Sequence, residues 1–372
     1  MRPLEGCLVL DFSTLLPGPL ATLLLAEAGC EVIKIERPGS GDEMRSYEPR
    51  WGPDSINFAL LNRGKKSITI DLKDAVDRQR LEPLLARADV LVEQFRPGVM
   101  SRLGLDYAAV SAANPRLIYC SISGYGQTGP RRNVAGHDLN YIAETGLLAL
   151  SYGSASLPVV PPALIADVAG GAYPAVMNIL LALRVRDATG RGQYLDIAMA
   201  DNLFPFMYWA IGNGLVAGRW PRSGAELVTG GSPRYQLYPT KDGQLVAAAP
   251  LEQRFWNVFC DVIGLEAVFR DDASDPAAVI QRISEIMASE TAAFWKSRFD
   301  GRDCCCSIVR DIKEALEQER RAGGIFDHLL ARGDGGETLP ALPVPIDAAF
   351  REPPGTKAAA PALDADNETS ST

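Results

Sequence analysis

An α/β fold with a large parallel-sheet domain and a smaller α+β domain is what this sequence predicts, on three observations. Short apolar runs alternate with helical patterns through the first 130 residues, the signature of βαβ units and a parallel sheet. After a Gly-rich stretch at Gly224–Pro233 the pattern changes to a hairpin followed by helices. The length of 372 residues also predicts two domains, or one large one with an insertion.

Each element follows from its residues. Gly6–Asp11 (GCLVLD) is a short apolar run and reads as a buried strand. Pro19–Ala28 is helical and stops at Gly29. Glu31–Ile35, Ser67–Asp71, Val90–Glu93 and Arg116–Ser121 read as further strands. Between them, Arg78–Arg87 carries Leu81, Leu84 and Leu85 at helical spacing. Asn140–Leu150 is a helix candidate, and Val168–Arg186 is so apolar that it predicts a buried helix. Gly190–Gly192 turns the chain into a strand at Tyr194–Ala198, followed by an apolar helix over Asp201–Val216. Residues 1–224 are therefore expected to form the large domain. Tyr235–Tyr238 and Gln244–Ala249 flank a Lys241-Asp242-Gly243 turn and read as a hairpin. Helices from Glu252, Pro276 and Ala292 complete a small α+β domain over 225–329, and the Pro/Ala/Asp/Ser-rich 353–372 reads as a mobile tail.

Composition removes several functions. With 37 Lys+Arg against 46 Asp+Glu the net charge is −9, which argues against nucleic acid as a partner, since that needs a basic footprint. No 18-residue apolar run is present; Leu15–Ala28 is short and carries Glu27, so no membrane span is expected. Met1-Arg2-Pro3 leads directly to the first strand, and the expected location is cytoplasmic. Seven scattered cysteines, an odd number, do not make a disulfide framework. Two histidines and no CxxC pair give no zinc signature, so no metal is expected.

Ligands of parallel sheets sit beyond the carboxyl ends of the strands. The residues there include a recurring set of cations: Arg37, Arg63, Lys65, Lys66, Lys73, Arg96 and Arg102. Singly each reads as a solvated surface charge; together in an acidic protein they point to a polyanion. Gly124-Tyr-Gly126-Gln-Thr-Gly129 matches GxGxxG, but Pro130-Arg131-Arg132-Asn133 follows where a dinucleotide site needs a helix. It reads as a glycine-shaped loop near a ligand.

Two acid/base candidates stand out. His137 follows a Gly-rich loop, has Asp138 beside it and opens a helix; imidazole trades protons near neutral pH. Asp167 opens the long apolar helix, followed at once by Gly170-Gly171. An N-cap is the simpler reading, yet burial would also raise its pKa and suit it to acid/base or nucleophilic work. The two glycines are expected where something approaches the backbone closely. Glu252, in the first turn of a helix, reads from its residues alone as helix-dipole decoration. His328 and Cys304-Cys305-Cys306 read as structural.

Taken in order, a set of segments resembles the class III CoA-transferases (CaiB/BaiF type), and within them the α-methylacyl-CoA racemase branch. These are LEGCLVLDFSTLLPGPLATLLLAEAGCEVIKIERPGSGD, NRGKKSITIDLK, EQFRPGVMSRLGLDY, the Ser123–Pro130 loop, GHDLNYIAETG, the Asp167 segment, GRGQYLDIAMAD, and YPTKDGQLV with LEQRFW. They span about residues 3 to 260; the C-terminal third matches weakly. The resemblance implies a Rossmann-like large domain built from both chain ends, with 330–352 returning to it, and an interlocked homodimer. It implies an acyl-CoA substrate and no cofactor beyond the coenzyme A that the substrate carries. The ADP part would lie near Arg37, Ile70, Asp71, Leu72, Lys73, Gln94, Phe95, Arg96 and Arg102. The acyl end would lie near Gly136, Leu139, Asn140, Tyr141 and Asp167.

Two reactions share this scaffold. A transferase needs a carboxylate nucleophile that forms an anhydride and then an enzyme–CoA thioester, and Asp167 matches that position. A racemase needs two acid/base groups on opposite faces of the α-carbon and stabilisation of an enolate. There the resemblance pairs Asp167 with His137, gives Glu252 the role of supporting the histidine, and gives Asp138 that of fixing the local network. Amides at the helix start near Asp167 are the expected enolate donors. The expected activity is 2-methylacyl-CoA racemisation, with CoA transfer between carboxylic acids as the alternative. A binding protein without catalysis is the third reading, disfavoured by the retained acid/base set.

Overall fold

The computed structural model describes residues 2–154, 156–322, 324–333 and 336–367. They form two compact units. The first comprises the residues up to Thr145, Ala163–Pro205, and those from Glu319 onward; the second comprises Gly146–Pro162 and Phe206–Gln318. Gly224–Pro233 thus lies inside the second unit rather than at its border. It is a turn-rich loop tied back by Gly224 N–H to Leu150 O at 3.0 Å. The chain re-enters the first unit at Glu319, about ten residues earlier than its sequence indicates.

The first unit is organised by six parallel strands: β1 (Leu8–Asp11), β2 (Glu31–Glu36), β3 (Lys66–Thr69), β4 (Val90–Glu93), β5 (Ile118–Ser123) and β6 (Tyr194–Ala198). Their spatial order is β6-β5-β4-β1-β2-β3, the doubly wound order 3-2-1-4-5-6. The register sets Leu10 opposite Ile33 and Leu91. The apolar residues of β1 to β5 are buried, as expected when helices cover both faces, while in the edge strand β6 Tyr194 is exposed and Ile197 is buried. One side holds a core of Leu10, Phe12, Ile33, Ile68, Leu91 and Tyr119.

Helix α1 (Pro17–Glu27) follows β1 and is buried nearly throughout. The single helix expected at Arg78–Arg87 is two short ones, Ala75–Gln79 and Glu82–Arg87. The second takes Pro83 in its first turn, where a missing N–H does no harm. Helix α2 (Asp138–Glu144) begins at His137. The long apolar helix opens with a π-helical segment, Ala166–Ala172, and continues as α3 (Tyr173–Thr189). By length and composition this run could cross a membrane. It is not buried all round: Ala175, Ile179, Ala182 and Leu183 face the interior, while Met177, Leu180, Leu181 and Val185 are exposed.

The last part of the first unit is a small sheet in which β10 (Leu329–Ala331) lies between β11 (Thr338–Pro340) and β12 (Lys357–Ala359). Residues 353–367, read from sequence as part of a mobile tail, are held in place. β12 pairs with β10 in parallel, and the Asp366 and Asn367 side chains accept the Ser67 and Thr69 amides at 2.9 Å. The last five positions of that tail lie outside the described residues.

The second unit carries the expected hairpin, β7 (Gln236–Pro239) and β8 (Leu245–Ala248), with a third strand, β9 (Cys306–Ile308), beside β8. Helices α4 (Gln253–Ile263), α5 (Pro276–Ala288) and α6 (Ala292–Phe299) supply Trp256, Phe259, Ile283 and Trp295 to one apolar core. Cys304 is buried in that core, as its packing role predicts.

Candidate active site

The strand order reverses between β1 and β4, and in doubly wound sheets ligands bind at such a point beyond the carboxyl ends. Two cavities lie there, both lined by the first unit. The larger, about 520 Å³, is lined by Leu15–Pro17 after β1, Gln94–Pro97 after β4, the Asn133–His137 loop, Tyr141 and Asp167. The other, about 370 Å³, is lined by Phe12–Thr14, Arg37, Asp42, Ile70–Lys73 and Phe95. Phe95 borders both.

Asp167 sits in the π-helical opening of the long helix, partly buried. Burial, helped by the nearby Asp138 charge and opposed by His137, pushes its carboxyl up to about 6. Asp138 is buried at the start of α2, and one of its oxygens accepts both the Ala166 N–H at 2.6 Å and the Asp167 N–H at 3.0 Å. That arrangement ties α2 to the Asp167 turn and sets the carboxylate relative to His137. It also changes one expectation. The amides at the helix start are occupied by Asp138, so they are not free to hold an enolate oxygen.

His137 is exposed, at the N-cap of α2, with its backbone N–H donated to Asn140 Oδ1 at 3.0 Å. Tyr141 donates its hydroxyl to Gly136 O at 2.5 Å, and burial beside Asp167 pushes it up to about 12; it keeps its proton. Gly170 and Gly171 do serve a close approach, but to protein. A Cβ on Gly170 would stand 2.5 Å from Met199 O, and one on Gly171 3.1 Å from the Met199 side chain.

The structure brings together most of the expected ligand residues. Arg37, Asp71, Leu72, Lys73 and Phe95 line the smaller cavity, and Gln94, Arg96, Gly136, Asn140 and Tyr141 the larger. Ile70 joins the first list, although its side chain is 1% exposed and belongs to the core. Gln94 spends its amide on the protein: Nε2 donates to Thr14 O and Oε1 accepts the Gly18 N–H. Leu139 and Arg102 line neither cavity; both are exposed, Leu139 pointing out from α2. Glu252 stands in the second unit, exposed at the N-cap of α4.

Three of the seven cations leave the polyanion set. Arg63 is buried against Glu27 at 2.7 Å, Lys65 is sequestered with Asp11 at 3.2 Å, and Lys66 pairs with Glu31 at 2.6 Å at the amino ends of β2 and β3. Their NRGKK pattern cannot show which strand end they occupy. Gly126 and Gly129 take left-handed φ angles of 83° and 82° in a loop with no helix following, as the intervening proline indicates. Residues that sequence reasoning missed are Leu15–Pro17, Arg132–Ala135 and Met199. Apart from Arg132 and Asn133, which lie in the loop after Gly129, they are apolar and carry no chemical signal. Ser123 Oγ, in the lining of the larger cavity, is buried without a partner among the described residues.

Comparisons with known proteins show the family of the chain. The model of CoA-transferase family III matches residues 4–367. An α-methylacyl-CoA racemase of Mus musculus is 35% identical, with 92% of this chain and 86% of that protein aligned. A succinyl-CoA:glutarate CoA-transferase of Mus musculus is 34% identical, over 86% of this chain and 74% of that one. A crystal structure of a CaiB/BaiF family protein from Brucella suis superposes with a TM-score of 0.83 at 26% identity, covering 99% of this chain and 98% of that chain. A family match across nearly the whole chain, on a site built at the switch point, places the protein in CoA-transferase family III.

Proposed function

We propose that the protein is a 2-methylacyl-CoA racemase that inverts the α-carbon by removing and returning one proton. The observation that carries this reading is that His137 and Asp167 line one cavity, with the Asp167 carboxyl raised toward neutrality. A carboxyl raised in this way and an imidazole are both side chains suited to acid or base work at neutral pH. One takes the α-proton, made acidic by the thioester; the other returns it on the opposite face. Asp138 keeps the pair in place through the Ala166 and Asp167 amides. Ser123 Oγ is a candidate donor for the enolate oxygen in place of those amides.

The smaller cavity suits the nucleotide end of coenzyme A, with Arg37 and Lys73 as phosphate partners, and Phe95 adjoins both ends of the ligand. The exposed residues Tyr173, Met177, Leu180, Leu181 and Val185 recur at helical spacing on α3. Such a stripe supports a homodimer that covers it.

The test is α-deuterium incorporation from deuterated buffer into a (2R)-2-methylacyl-CoA, with appearance of the 2S epimer. No exchange across a panel of branched acyl chains overturns the racemase reading. CoA transfer stays as the second reading because the transferase relatives are as similar as the racemases and Asp167 offers a carboxylate nucleophile in the larger cavity. It predicts an Asp167 acyl adduct trapped by hydroxylamine in the presence of an acyl-CoA and a free acid.

A further inference from the structure

The segment Ser13–Gly18 after β1 is held far more tightly than a surface loop requires. Asp11 accepts the Ser13 N–H at 2.9 Å and also its hydroxyl. Lys34 Nζ donates to Ser13 O at 2.7 Å and pairs with Asp42 Oδ2 at 2.9 Å, both side chains fully buried. The other Asp42 oxygen accepts the Leu15 N–H at 3.2 Å. Gln94 closes the far side, reaching Thr14 O at 2.5 Å and Gly18 N at 2.9 Å. At Gly18 a Cβ would fall 2.1 Å from Ser13 Cβ, so the segment is folded closely on itself. Within it Leu15 has φ 63°, a left-handed conformation that an L-residue with a side chain adopts only under strain. Strain of this kind persists only where the surroundings over-determine it.

That conformation places Ser13 and Thr14 in the smaller cavity and Leu15, Leu16 and Pro17 in the larger one. One short segment therefore borders both. We propose that the buried Lys34–Asp42 pair is a positioning device that holds Ser13–Gly18 in this strained shape, so that the segment seats the pantetheine arm of an acyl-CoA between the nucleotide end and the reacting end. This rests on the acyl-CoA reading of the two cavities. Lys34 and Asp42 act through the segment and touch no reacting atom.

A structural role alone would weaken all ligands alike; a positioning role would not. Replacing both charges together, Lys34→Met with Asp42→Asn, leaves no buried charge unpaired. It also keeps an Asn oxygen for the Leu15 amide while freeing Ser13 O. Binding of adenosine 3′,5′-bisphosphate and of CoA is measured by calorimetry on the full-length parent and the double variant. The expected result is roughly tenfold weaker CoA binding with a distinctly smaller loss for the bisphosphate, whose cavity Ser13, Thr14 and Asp42 also line. Equal loss for both probes, or no loss for either, overturns the positioning role. A parent protein that does not bind CoA overturns the acyl-CoA reading instead. Hydrogen exchange on the unliganded parent is the second measurement, independent of the variant's folding. The Leu15 and Gly18 amides are expected to be protected before any ligand is added, and exchange at unstructured rates would overturn the proposal.

Discussion

The two candidate acid/base side chains make separate demands that can be measured apart. His137→Ala is expected to lower deuterium exchange by about 10²–10⁴, the usual contribution of a positioned acid or base. A nucleophilic Asp167 would survive that change and still form an adduct, so the variant separates the two reactions. Asp167 also links activity to stability. Its carboxyl is raised from 3.8 to about 6 in the folded chain, so between those values the native state holds more protons than the unfolded one, and stability falls as pH rises. Above pH 6 the fold carries the full penalty of the buried charge; below pH 4 it carries none. Asp167→Asn is thus expected to raise unfolding stability at pH 7.5 by on the order of 1–3 kcal/mol, with no gain at pH 4, while abolishing exchange. Denaturant titrations at the two pH values check the sign.

Among the elements, the π-helical opening of the long helix depends on Asp138 and on small residues. Asp138→Ala leaves the Ala166 and Asp167 amides without their acceptor. At about 1–3 kcal/mol for each buried donor left unpaired, a measurable drop in denaturation midpoint is expected. A fall in kcat should accompany it as the Asp167 turn drifts. Gly170→Ala drives a methyl to 2.5 Å from Met199 O; this overpacking is expected to lower stability by roughly 1–3 kcal/mol. The glycine pair was visible in the sequence, but its partner was not. Met199 lies 29 positions away on the segment after β6, and no local pattern connects the two. The same limit explains Lys65, which looks like a loop cation until Asp11, Thr22 and Asn62 close round it.

At the scale of the molecule, the strands were legible because parallel-sheet strands are short, apolar and bounded by turn residues. Val90–Glu93 and Tyr194–Ala198 coincide with the observed β4 and β6. His137 and Asp167 were legible because acid/base side chains announce themselves in an apolar or Gly-rich setting. The Leu15–Pro17 wall was not, since a left-handed leucine is imposed by tertiary contacts. Nor did apolar composition show that α3 keeps one face uncovered. For that face, sedimentation equilibrium is expected to give twice the chain mass of 40.1 kDa. A Met177→Lys, Leu181→Glu double variant is expected to disrupt that state, and a monomeric parent would remove the reason for the stripe.

The outermost strand, β3, has a further consequence. Unpaired amides on a sheet margin recruit strands from other molecules. Here the Ser67 and Thr69 amides are taken by the side chains of Asp366 and Asn367, which therefore act as a plug against intermolecular growth. Replacing Asp366 and Asn367 by alanine is expected to bare those two amides and to make the protein self-associate through this margin, read as concentration-dependent light scattering.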